Sequence, residues 1–508
     1  MQNAIQHLVI AGGGTAGWMT AAAVSRAFAG SALKITLVES EEIGTIGVGE
    51  ATVPSIHYFN LMLGIDQAHF MRTCQATFKL GIEFVDWGDV GGRYIHPFTT
   101  YGCDLNNIYF HELWLKYAGS MAARGETVSM DDYNLCCVAA RRGRFIHPVG
   151  GVPAPVGLLN YAFQFDASLY AGFLRGYSES RGVTRVEGKI AQVLQNGETG
   201  DIQALIMEDG RSVEGDLFVD CSGRQALLIG QTLKSAYEDW RHWLPCDRAI
   251  AVPCANVEEP VPYTRSTADA AGWRWRIPLQ HRVGNGYVYS SPFLDDDGAE
   301  RRLLDSLDGA ALSAPRRISF VPGRRKEFWI KNCVAIGLAS GFLEPLESTS
   351  IHLIQTAILK LLAFFPDKGF EPADIAAFNR HTQGEYELLR DFLILHYKIT
   401  QRADTPFWRY CRDMDVPDAV REAIELFEAR GRMLIRADHL FTGRSWLAVM
   451  LGQGLRPRGY DPLVDTIPDA DLHAHMNSVR NYIDQATAAM PRHGDYLSRF
   501  CGQNSHAG

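Results

Sequence analysis

The sequence predicts an α/β protein in which a parallel sheet is assembled from separated segments and a largely helical part follows. Three observations predict this fold class. A strand, helix and strand occupy residues 7–39, further apolar strands recur far downstream at 215–223 and 331–341, and apolar residues repeat with a helical period from Ile351 onward. Strands that return so late in the chain imply that the sheet is discontinuous in sequence.

The first unit is a β-α-β motif. HLVI has the apolar character of a buried strand, the Ala-rich stretch after it is typical of a helix, and KITLVE is again apolar. The predicted elements are the strand His7–Ile10, the helix Trp18–Phe28 and the strand Lys34–Glu39.

A glycine loop joins the first strand to the helix. Gly12, Gly14 and Gly17 form a GxGxxG pattern, and Glu39 ends the next strand 22 residues after Gly17. In a Rossmann-like unit the glycines let the backbone approach a pyrophosphate, the helix N-terminus faces its charge, and the acid accepts hydrogen bonds from ribose hydroxyls. The loop therefore predicts a dinucleotide site, with a tight glycine turn as the alternative.

The two downstream strands, GDLFVDCSG (215–223) and KNCVAIGLASG (331–341), each run into a glycine turn, and we expect both to join the first sheet. FAD is a long cofactor whose domain is usually assembled from separated segments, so this pattern favours FAD over a compact nicotinamide domain. We expect residues 1–365 to form a discontinuous FAD-binding core with substrate-region insertions at about 60–150 and 226–330. Residues 366–508 then form a mainly helical C-terminal region that completes the substrate site.

Composition excludes several classes of partner. The 508 residues carry a formal charge of −9 with no basic run, which argues against nucleic acid. The chain has no secretory signal and no apolar run near the roughly 20 residues of a membrane span, so we expect a cytoplasmic protein without a membrane partner. Its ten cysteines lack CxxC spacing, and HELWL (111–115) has Leu where a zincin helix needs a second His. We therefore expect reduced thiols, a plain helix at HELWL and no metal site.

Five segments, taken together, resemble one family. They are GGGTAGWM (12–19), GVGEATVPS (47–55), FKLGIEF (78–84), WRWRIP (273–278) and EPLEST (344–349). In this order they are similar to the flavin-dependent halogenases of the tryptophan halogenase family, over residues 1 to about 365. The resemblance implies that reduced FAD, oxygen and halide yield hypohalous acid, which travels through an internal passage to a lysine.

The resemblance also implies which residues hold the cofactor. Trp273 and Trp275 would stand near the flavin, although bulky residues alternating on a strand are otherwise typical of a core. The other cofactor positions are Gly12, Gly14, Thr15, Ala16, Gly17, Glu39, Ser40, Gly49, Ala51, Ile190, Leu338 and Ile351.

Lys79 matches the family lysine. The residues around it alternate between apolar and polar, which by itself predicts a half-buried strand with Lys79 on the solvent face. By the resemblance, its amine would instead face the enclosed passage and hydrogen-bond or covalently hold the halogen. The two interpretations differ in the burial of this one side chain.

The two glutamates in GFLEPLESTSIHL (341–353) could also be either structural or functional. A carboxylate among apolar residues costs free energy unless it is paired, hydrogen-bonded or exposed to solvent. Glu347 matches the family glutamate that stabilises the ring cation and accepts its proton. Glu344 is equally well explained as a turn residue before Pro345. The N–H groups of Thr349 and Ser350, at a helix start, match the family halide site, with simple capping as the alternative. Many relatives have Gly at the position of Ser350, so the choice between bromide and chloride stays open.

The substrate residues follow from the same resemblance. His96 and Phe98, in YIHPF, match rings that stack on the substrate, although HPF alone is typical of a loop. In residues 431–454 only Phe441 and Trp446 offer large rings, and the tyrosines that bind the head group of tryptophan in relatives are missing. A zwitterion would lose hydrogen bonds on entering such a site, which predicts a free indole-like arene rather than tryptophan.

The predicted enzyme needs partners, and it has alternatives. Only one dinucleotide loop is evident, so we expect a separate flavin reductase to supply FAD as FADH2; a homodimer is left open. The alternatives are a flavin monooxygenase of the same fold, a halogenase of carrier-bound pyrrole or phenol, and a reduced-flavin binding or sensor protein without turnover.

Overall fold

The computed structural model describes residues 3–42, 49–148, 159–433 and 439–502. Residues 47–48 of the GVGEATVPS segment and 434–438 of the C-terminal segment lie outside this part. The strands are β1 (His7–Ala11), β2 (Lys34–Glu39), β3 (Gly49–Ala51), β4 (Thr77–Lys79), β5 (Gly81–Val85), β6 (Arg93–Pro97), β7 (Ala162–Asp166), β8 (Thr184–Glu187), β9 (Ile190–Gln195), β10 (Ile202–Met207), β11 (Ser212–Glu214), β12 (Leu217–Asp220), β13 (Tyr237–Asp239), β14 (Arg248–Cys254), β15 (Thr264–Asp269), β16 (Gly272–Pro278), β17 (Val283–Tyr289), β18 (Arg316–Ser319), β19 (Gly323–Arg325), β20 (Trp329–Ile330), β21 (Cys333–Ala335) and β22 (Gly341–Phe342).

The helices alternate with these strands at first and dominate the last third of the chain. They are α1 (Thr15–Ala27), α2 (Ile56–Leu63), α3 (Gln67–Thr73), α4 (Phe110–Ala122), α5 (Leu135–Arg141), α6 (Ala167–Glu179), α7 (Asp296–Asp305), α8 (Ser350–Ala363), α9 (Pro372–Lys398), α10 (Pro406–Asp413), α11 (Asp418–Arg430), α12 (Gly443–Gly452), α13 (Asp469–Ala489) and α14 (His493–Gly502).

The chain forms two compact units, each built from three stretches of sequence. The first unit comprises Met1–Ala76, Phe165–His242 and Ser319–Glu387, and the second comprises Thr77–Gln164, Trp243–Ile318 and Leu388–Gly508. The expected FAD-binding core over 1–365 stays a prediction, because a packing unit is not by itself a functional domain.

A six-stranded sheet in the order β20-β21-β12-β1-β2-β8 organises the first unit. β1 pairs in parallel with β2 and β12, and β12 pairs in parallel with β21, so both downstream strands join the first sheet as predicted. Strands buried on both faces are typical of such a sheet, and Leu8, Val9 and Ile10 have no exposed surface. The predicted β-α-β motif is confirmed, with α1 beginning at Thr15 rather than Trp18.

A seven-stranded sheet in the order β18-β14-β17-β16-β15-β5-β6 organises the second unit. Here β5 pairs in parallel with β15 and antiparallel with β6. The half-buried strand predicted for FKLGIEF is wrong. The segment divides into β4 and β5, and every residue of both strands is buried, because neighbouring elements of the second unit cover both faces.

The C-terminal helices follow the predicted periodicity. On α8, Ile351, Ile354, Ile358 and Leu361 are buried. α11 ends at Gly431, whose φ of 75° is the left-handed conformation that favours glycine at a helix end. HELWL lies in α4, so the plain helix expected there is confirmed. No helix in the described part of the chain is long and apolar enough to cross a membrane.

Candidate active site

Two glycines of the glycine loop in the first unit lie so close to neighbouring backbone that no larger residue would fit at their positions. Gly12 has a φ of 115°, and a Cβ there would lie 2.2 Å from the carbonyl oxygen of Cys221 at the end of β12. A Cβ on Gly17 would lie 1.8 Å from the carbonyl oxygen of Gly12. These two glycines let α1 pack directly against β1 and β12, as the fingerprint predicts.

Gly14 has a different surrounding, because no atom of the described residues lies within 4 Å of the place where its Cβ would be. It caps α1 without a side chain, and the first turn of α1 contains no acidic residue. The first amide groups of α1, at Thr15 and Ala16, follow this open position and lie at the positive end of the helix dipole. An open cradle of this kind fits a pyrophosphate.

Glu39 ends β2, and its carboxylate is held by a residue that the sequence pattern did not reveal. Arg185, in β8, donates from Nε to Glu39 Oε1 at 2.5 Å. A Cβ on Gly13 would lie 1.5 Å from Glu39 Oε2, so Gly13 is another position where only glycine fits. Arg185 was missed because β8 becomes a neighbour of β2 only through the parallel pairing of strands distant in sequence.

The remaining predicted cofactor positions of the first unit fall into two groups. Gly337, with a φ of 73°, turns the chain after β21 so closely that a Cβ would lie 2.7 Å from the Cβ of Ala16, which brings Leu338 to the glycine loop. Ile351 lies buried on α8, and Ile354 lies 3.7 Å from the same Gly337 position. By contrast, Ile190 begins β9 and packs against a hydrophobic cluster. Ser40 follows β2, and Gly49 and Ala51 form the ends of β3.

The start of α8 has the features of an anion site. Thr349 precedes the helix, is only 1% exposed, and makes no side-chain cap to it. Its Oγ1 has no hydrogen-bond partner among the described residues. Ser348 before it has a φ of 60°, a left-handed conformation that is strained for serine and typical of functional sites. Simple capping by Thr349 is therefore wrong, and the halide interpretation fits the donors present.

Glu344 precedes the short 3-10 helix Pro345–Glu347 before α8, Glu347 is its last residue, and both side chains are buried. Glu344 is therefore a residue before a turn, as one interpretation has it, but its side chain does not reach the surface. Buried carboxylates are retained in proteins where they are paired or functional.

Lys79 ends β4 in the second unit and is 0% exposed, so its placement on a solvent face is wrong. Its Nζ lies 5.3 Å from the centroid of the Phe98 ring, a distance at which an ammonium and a ring attract each other. The N–H of Phe98 donates to the carbonyl of Leu80 at 3.3 Å, which fixes Phe98 beside the lysine. The structure therefore brings together two of the predicted site residues.

Aromatic rings pack against the face of β4 opposite to Lys79. Phe78 stacks on Phe145 with centroids 4.0 Å apart, and it contacts His493 and Tyr496 of the C-terminal helix α14 edge-on. Because side chains alternate along a strand, these rings pack behind the strand that presents Lys79.

The other predicted substrate residues meet in a second group of rings. His96 lies 5.8 Å from Phe441, measured between ring centroids. Phe392, on α9, stacks on Phe441 at 4.1 Å and lies 5.6 Å from both Trp446 and His96. Phe392 was missed by the sequence analysis because an apolar residue on a long helix looks like ordinary core.

Trp273 and Trp275 lie on one face of β16, with ring centroids 6.2 Å apart. The ring of Trp275 covers Gly286 on the paired strand β17, where a Cβ would lie 2.0 Å from the indole. The indole N–H of Trp273 is buried and has no hydrogen-bond partner among the described residues. Their assignment to the flavin stays a prediction.

A family model for tryptophan halogenases matches residues 7–469. The chain belongs to the tryptophan halogenase family. The 7-chloro-L-tryptophan 6-halogenase KtzR of Kutzneria sp. (strain 744) is 34% identical, over 97% of this chain and 99% of KtzR. Similarity to this family was the expectation from the five sequence segments, and it is confirmed.

Two solved structures share the whole fold with this halogenase chain. Xcc4156, a flavin-dependent halogenase from Xanthomonas campestris, is 50% identical with a TM-score of 0.93, covering 98% of this chain and 99% of that one. BrvH, a flavin-dependent halogenase from Brevundimonas sp. BAL3, is 47% identical with a TM-score of 0.93 and the same coverage. Family membership makes the chain an FADH2-dependent halogenase, an oxidoreductase, and sets aside the monooxygenase and the non-catalytic alternatives.

Among the described residues, no group of three or more His, Cys, Asp or Glu side chains is arranged to hold a metal ion. All ten cysteines are free thiols. The expectation of a metal-free site stays a prediction.

Proposed function

We propose that this chain halogenates a free indole-like aromatic compound with bromide or chloride, through Lys79 and Glu347. When bound, reduced FAD together with oxygen supplies the oxidising power that converts halide to hypohalous acid. The observation that carries the proposal is the complete burial of Lys79 beside a ring, because a lysine in solvent could not aim a halogen selectively.

Lys79 holds the electrophile in this proposal. Its Nζ either hydrogen-bonds hypohalous acid or replaces the hydroxyl, forming a nitrogen–halogen bond with release of water. The halogen then passes to the aromatic carbon, and the nitrogen regains a proton. Phe98, 5.3 Å away, limits the directions from which a substrate can approach the amine.

Glu347 completes the substitution. A ring that has gained a halogen carries positive charge until it loses a proton, and a buried carboxylate both stabilises that charge and accepts the proton. The amides of Thr349 and Ser350 bind the halide, with the side-chain oxygen of Thr349 as a third donor group. Glu347→Gln keeps the shape of this site and removes the base.

The ring group of His96, Phe392, Phe441 and Trp446 supports an apolar aromatic substrate. The contacts described for these residues join one ring to another, which suits the face of an indole. KtzR acts, by its name, on a chlorinated tryptophan, and this favours tryptophan as the second candidate substrate. The more similar Xcc4156 and BrvH are named only as flavin-dependent halogenases.

We also propose that a separate reductase supplies FADH2, as only one dinucleotide loop, Gly12–Gly17, lies in the chain. The protein with FAD and NADH alone then produces no halogenated product, whereas addition of a flavin reductase starts turnover.

One experiment tests the substrate proposal. The purified protein, a flavin reductase, NADH and each halide are supplied with indole, tryptophan, a phenol and a carrier-bound pyrrole in separate reactions, and products are detected by mass. Halogenated indole as the main product supports the proposal. Halogenation of tryptophan or of the carrier-bound pyrrole in preference to indole overturns it.

A further inference from the structure

A line of polar side chains crosses the first turn of α8 inside the first unit. His352, the third residue of α8, is only 8% exposed. Its Nδ1 lies 2.9 Å from the hydroxyl of Ser55, which precedes α2, and its Nε2 lies 3.4 Å from Oε1 of Glu385 on α9. One imidazole thus joins three helices at the end of α8 where the halide is proposed to bind.

Both ends of this line continue into further hydrogen bonds. The Ser55 hydroxyl donates to Gln355 Oε1 at 3.1 Å. Glu385 Oε2 accepts from Lys360 Nζ at 2.6 Å and from Thr356 Oγ1 at 3.0 Å. Burial acts to raise the pKa of Glu385, but the hydrogen bond from His352 and the charge of Lys360 outweigh it and lower that pKa to about 2.

The orientation of the Gln355 amide decides the charge of His352. With Oε1 of Gln355 towards Ser55, the single hydroxyl hydrogen goes to Gln355, so His352 Nδ1 is the donor to Ser55. The amide turned by half a rotation would bring Nε2 of Gln355, which has no hydrogen-bond partner among the described residues, to Ser55 and would make Nδ1 an acceptor. Nε2 of His352 faces an ionised carboxylate, which only accepts, so it carries a hydrogen in both orientations. The first orientation gives the imidazole two N–H groups and makes it a cation.

A cation in the first turn of a helix is unusual, because it opposes the positive end of the helix dipole and costs stability. A bound anion at the same end reverses this effect, since it is attracted by the dipole and by the imidazolium together. Thr349, one turn before His352, contributes the buried oxygen without a hydrogen-bond partner among the described residues. The electrostatics of this helix end therefore suit an occupied anion site better than an empty one.

We propose that His352, held as an imidazolium between Ser55 and Glu385, is a positioning residue that raises the halide affinity of the α8 N-terminus. The inference rests on the proposed halide site and adds residues that act on the halide without contacting it. Glu385 acts through His352, and Lys360 only neutralises the far oxygen of Glu385.

Bromide binding to the FAD-loaded protein tests this directly, through the broadening of the bromide NMR line, with no turnover required. His352→Gln and Glu385→Gln each weaken bromide binding by about 3- to 10-fold, the effect of one charge in a partly shielded setting. The double variant binds no more weakly than the poorer single variant, because both changes remove the same charge. Lys360→Met, further along α8, and His381→Gln, exposed on α9, change bromide affinity less than about twofold. Unchanged affinity in His352→Gln overturns the inference.

The protonation state of His352 can be measured separately from bromide binding. Nitrogen-15 spectra of labelled histidines at pH 7.5 show two protonated nitrogens for the resonance that disappears in His352→Gln, and a neutral ring at this position overturns the inference even if a variant misfolds. FAD affinity close to that of the parent protein shows that the variants are folded. Absence of indole halogenation with His352-dependent bromide binding intact counts against the proposed function alone, so the two failures are distinguishable.

Discussion

Two buried histidines show how differently the two units treat charge. In the first unit, His352 lies between a hydroxyl and a carboxylate, and both of its ring nitrogens have hydrogen-bond partners. In the second unit, His493 donates from Nδ1 to the Pro260 carbonyl at 2.6 Å, while its Nε2 has no hydrogen-bond partner among the described residues. Burial lowers the pKa of His493 to about 4, although the hydrogen bond to Pro260 acts in the opposite direction.

The difference follows from the ligands that each unit is proposed to hold. Pyrophosphate and halide are anions, and the first unit presents the amides of two helix starts, an arginine and the proposed imidazolium of His352. An aromatic ring is neutral, and the second unit presents rings, with His493 kept neutral among Phe78 and Phe145. Lys79 stands apart from these rings, since it is a fully buried lysine in the second unit and packing alone does not require a lysine there.

The largest expected effect therefore comes from Lys79→Ala. Halogenation of indole falls on the order of 1000-fold or more, because the group that aims the halogen is lost. FAD binding and release of free hypohalous acid, detected with a small thiol or thioether scavenger, continue. Lys116→Ala, a second-unit lysine paired with Asp465 and Asp469, serves as the control and retains activity. Persistence of the organic product near the parent rate would show that Lys79 has another role.

The contrast also explains which parts of the site were predictable. The glycine loop, both flanking strands and the downstream strands were predicted because a parallel sheet buried on both faces leaves a continuous apolar signal in the sequence. The alternation around Lys79 was misleading, because a strand covered on both faces does not follow the half-buried pattern. The functional assignment of Lys79 rested on resemblance, and its burial became visible only in the fold.

The sequence analysis could not identify site residues whose partners lie far away in the sequence. Arg185 meets Glu39, and Glu385 meets His352, only through tertiary packing, and each looks like an ordinary surface charge in its own segment. Phe392 similarly joins the substrate rings from the middle of α9. Such residues could be recognised only after the strand order and helix packing were known.

The next largest effect concerns the first unit. Gly14→Ala weakens FAD binding by about tenfold or more, since its new methyl group enters the open space proposed for the pyrophosphate. The thermal midpoint of the cofactor-free protein stays within about 2 °C, because none of the described residues has an atom within 4 Å of that methyl group and an Ala cap costs only about 0.5 kcal/mol more than Gly. Gly172→Ala, which also meets no atom within 4 Å, is the matched control on α6 and leaves FAD affinity unchanged. Unaltered FAD affinity in Gly14→Ala would mean that the pyrophosphate lies elsewhere.

A smaller effect separates the substrates of the second unit. The rings accept an indole, but an ammonium and a carboxylate would each lose hydrogen bonds worth about 1–3 kcal/mol on burial. The kcat/KM for tryptophan is therefore expected to be about tenfold lower than that for indole per head group. Equimolar indole and tryptophan in one reaction give the ratio directly from the two product masses. A preference for tryptophan would contradict the comparison, because it would require charged partners among these rings.

The smallest effect is a pH dependence of stability set by His493. Its folded-state pKa of about 4 lies below the usual 6.5, so between these values the unfolded chain binds a proton that the folded chain does not. This contribution is fully present above pH 6.5 and is lost as the pH falls towards 4; at pH 5 about 2 kcal/mol has gone. His493→Asn, which stays neutral and keeps a donor for Pro260, removes this loss, so the parent-minus-variant difference in unfolding free energy from urea titrations shrinks from pH 7 to pH 5. His381→Asn, at an exposed position on α9, is the control and leaves the pH dependence as it is. A difference that stays constant with pH would mean that His493 is charged among the rings, and the contrast with His352 would no longer hold.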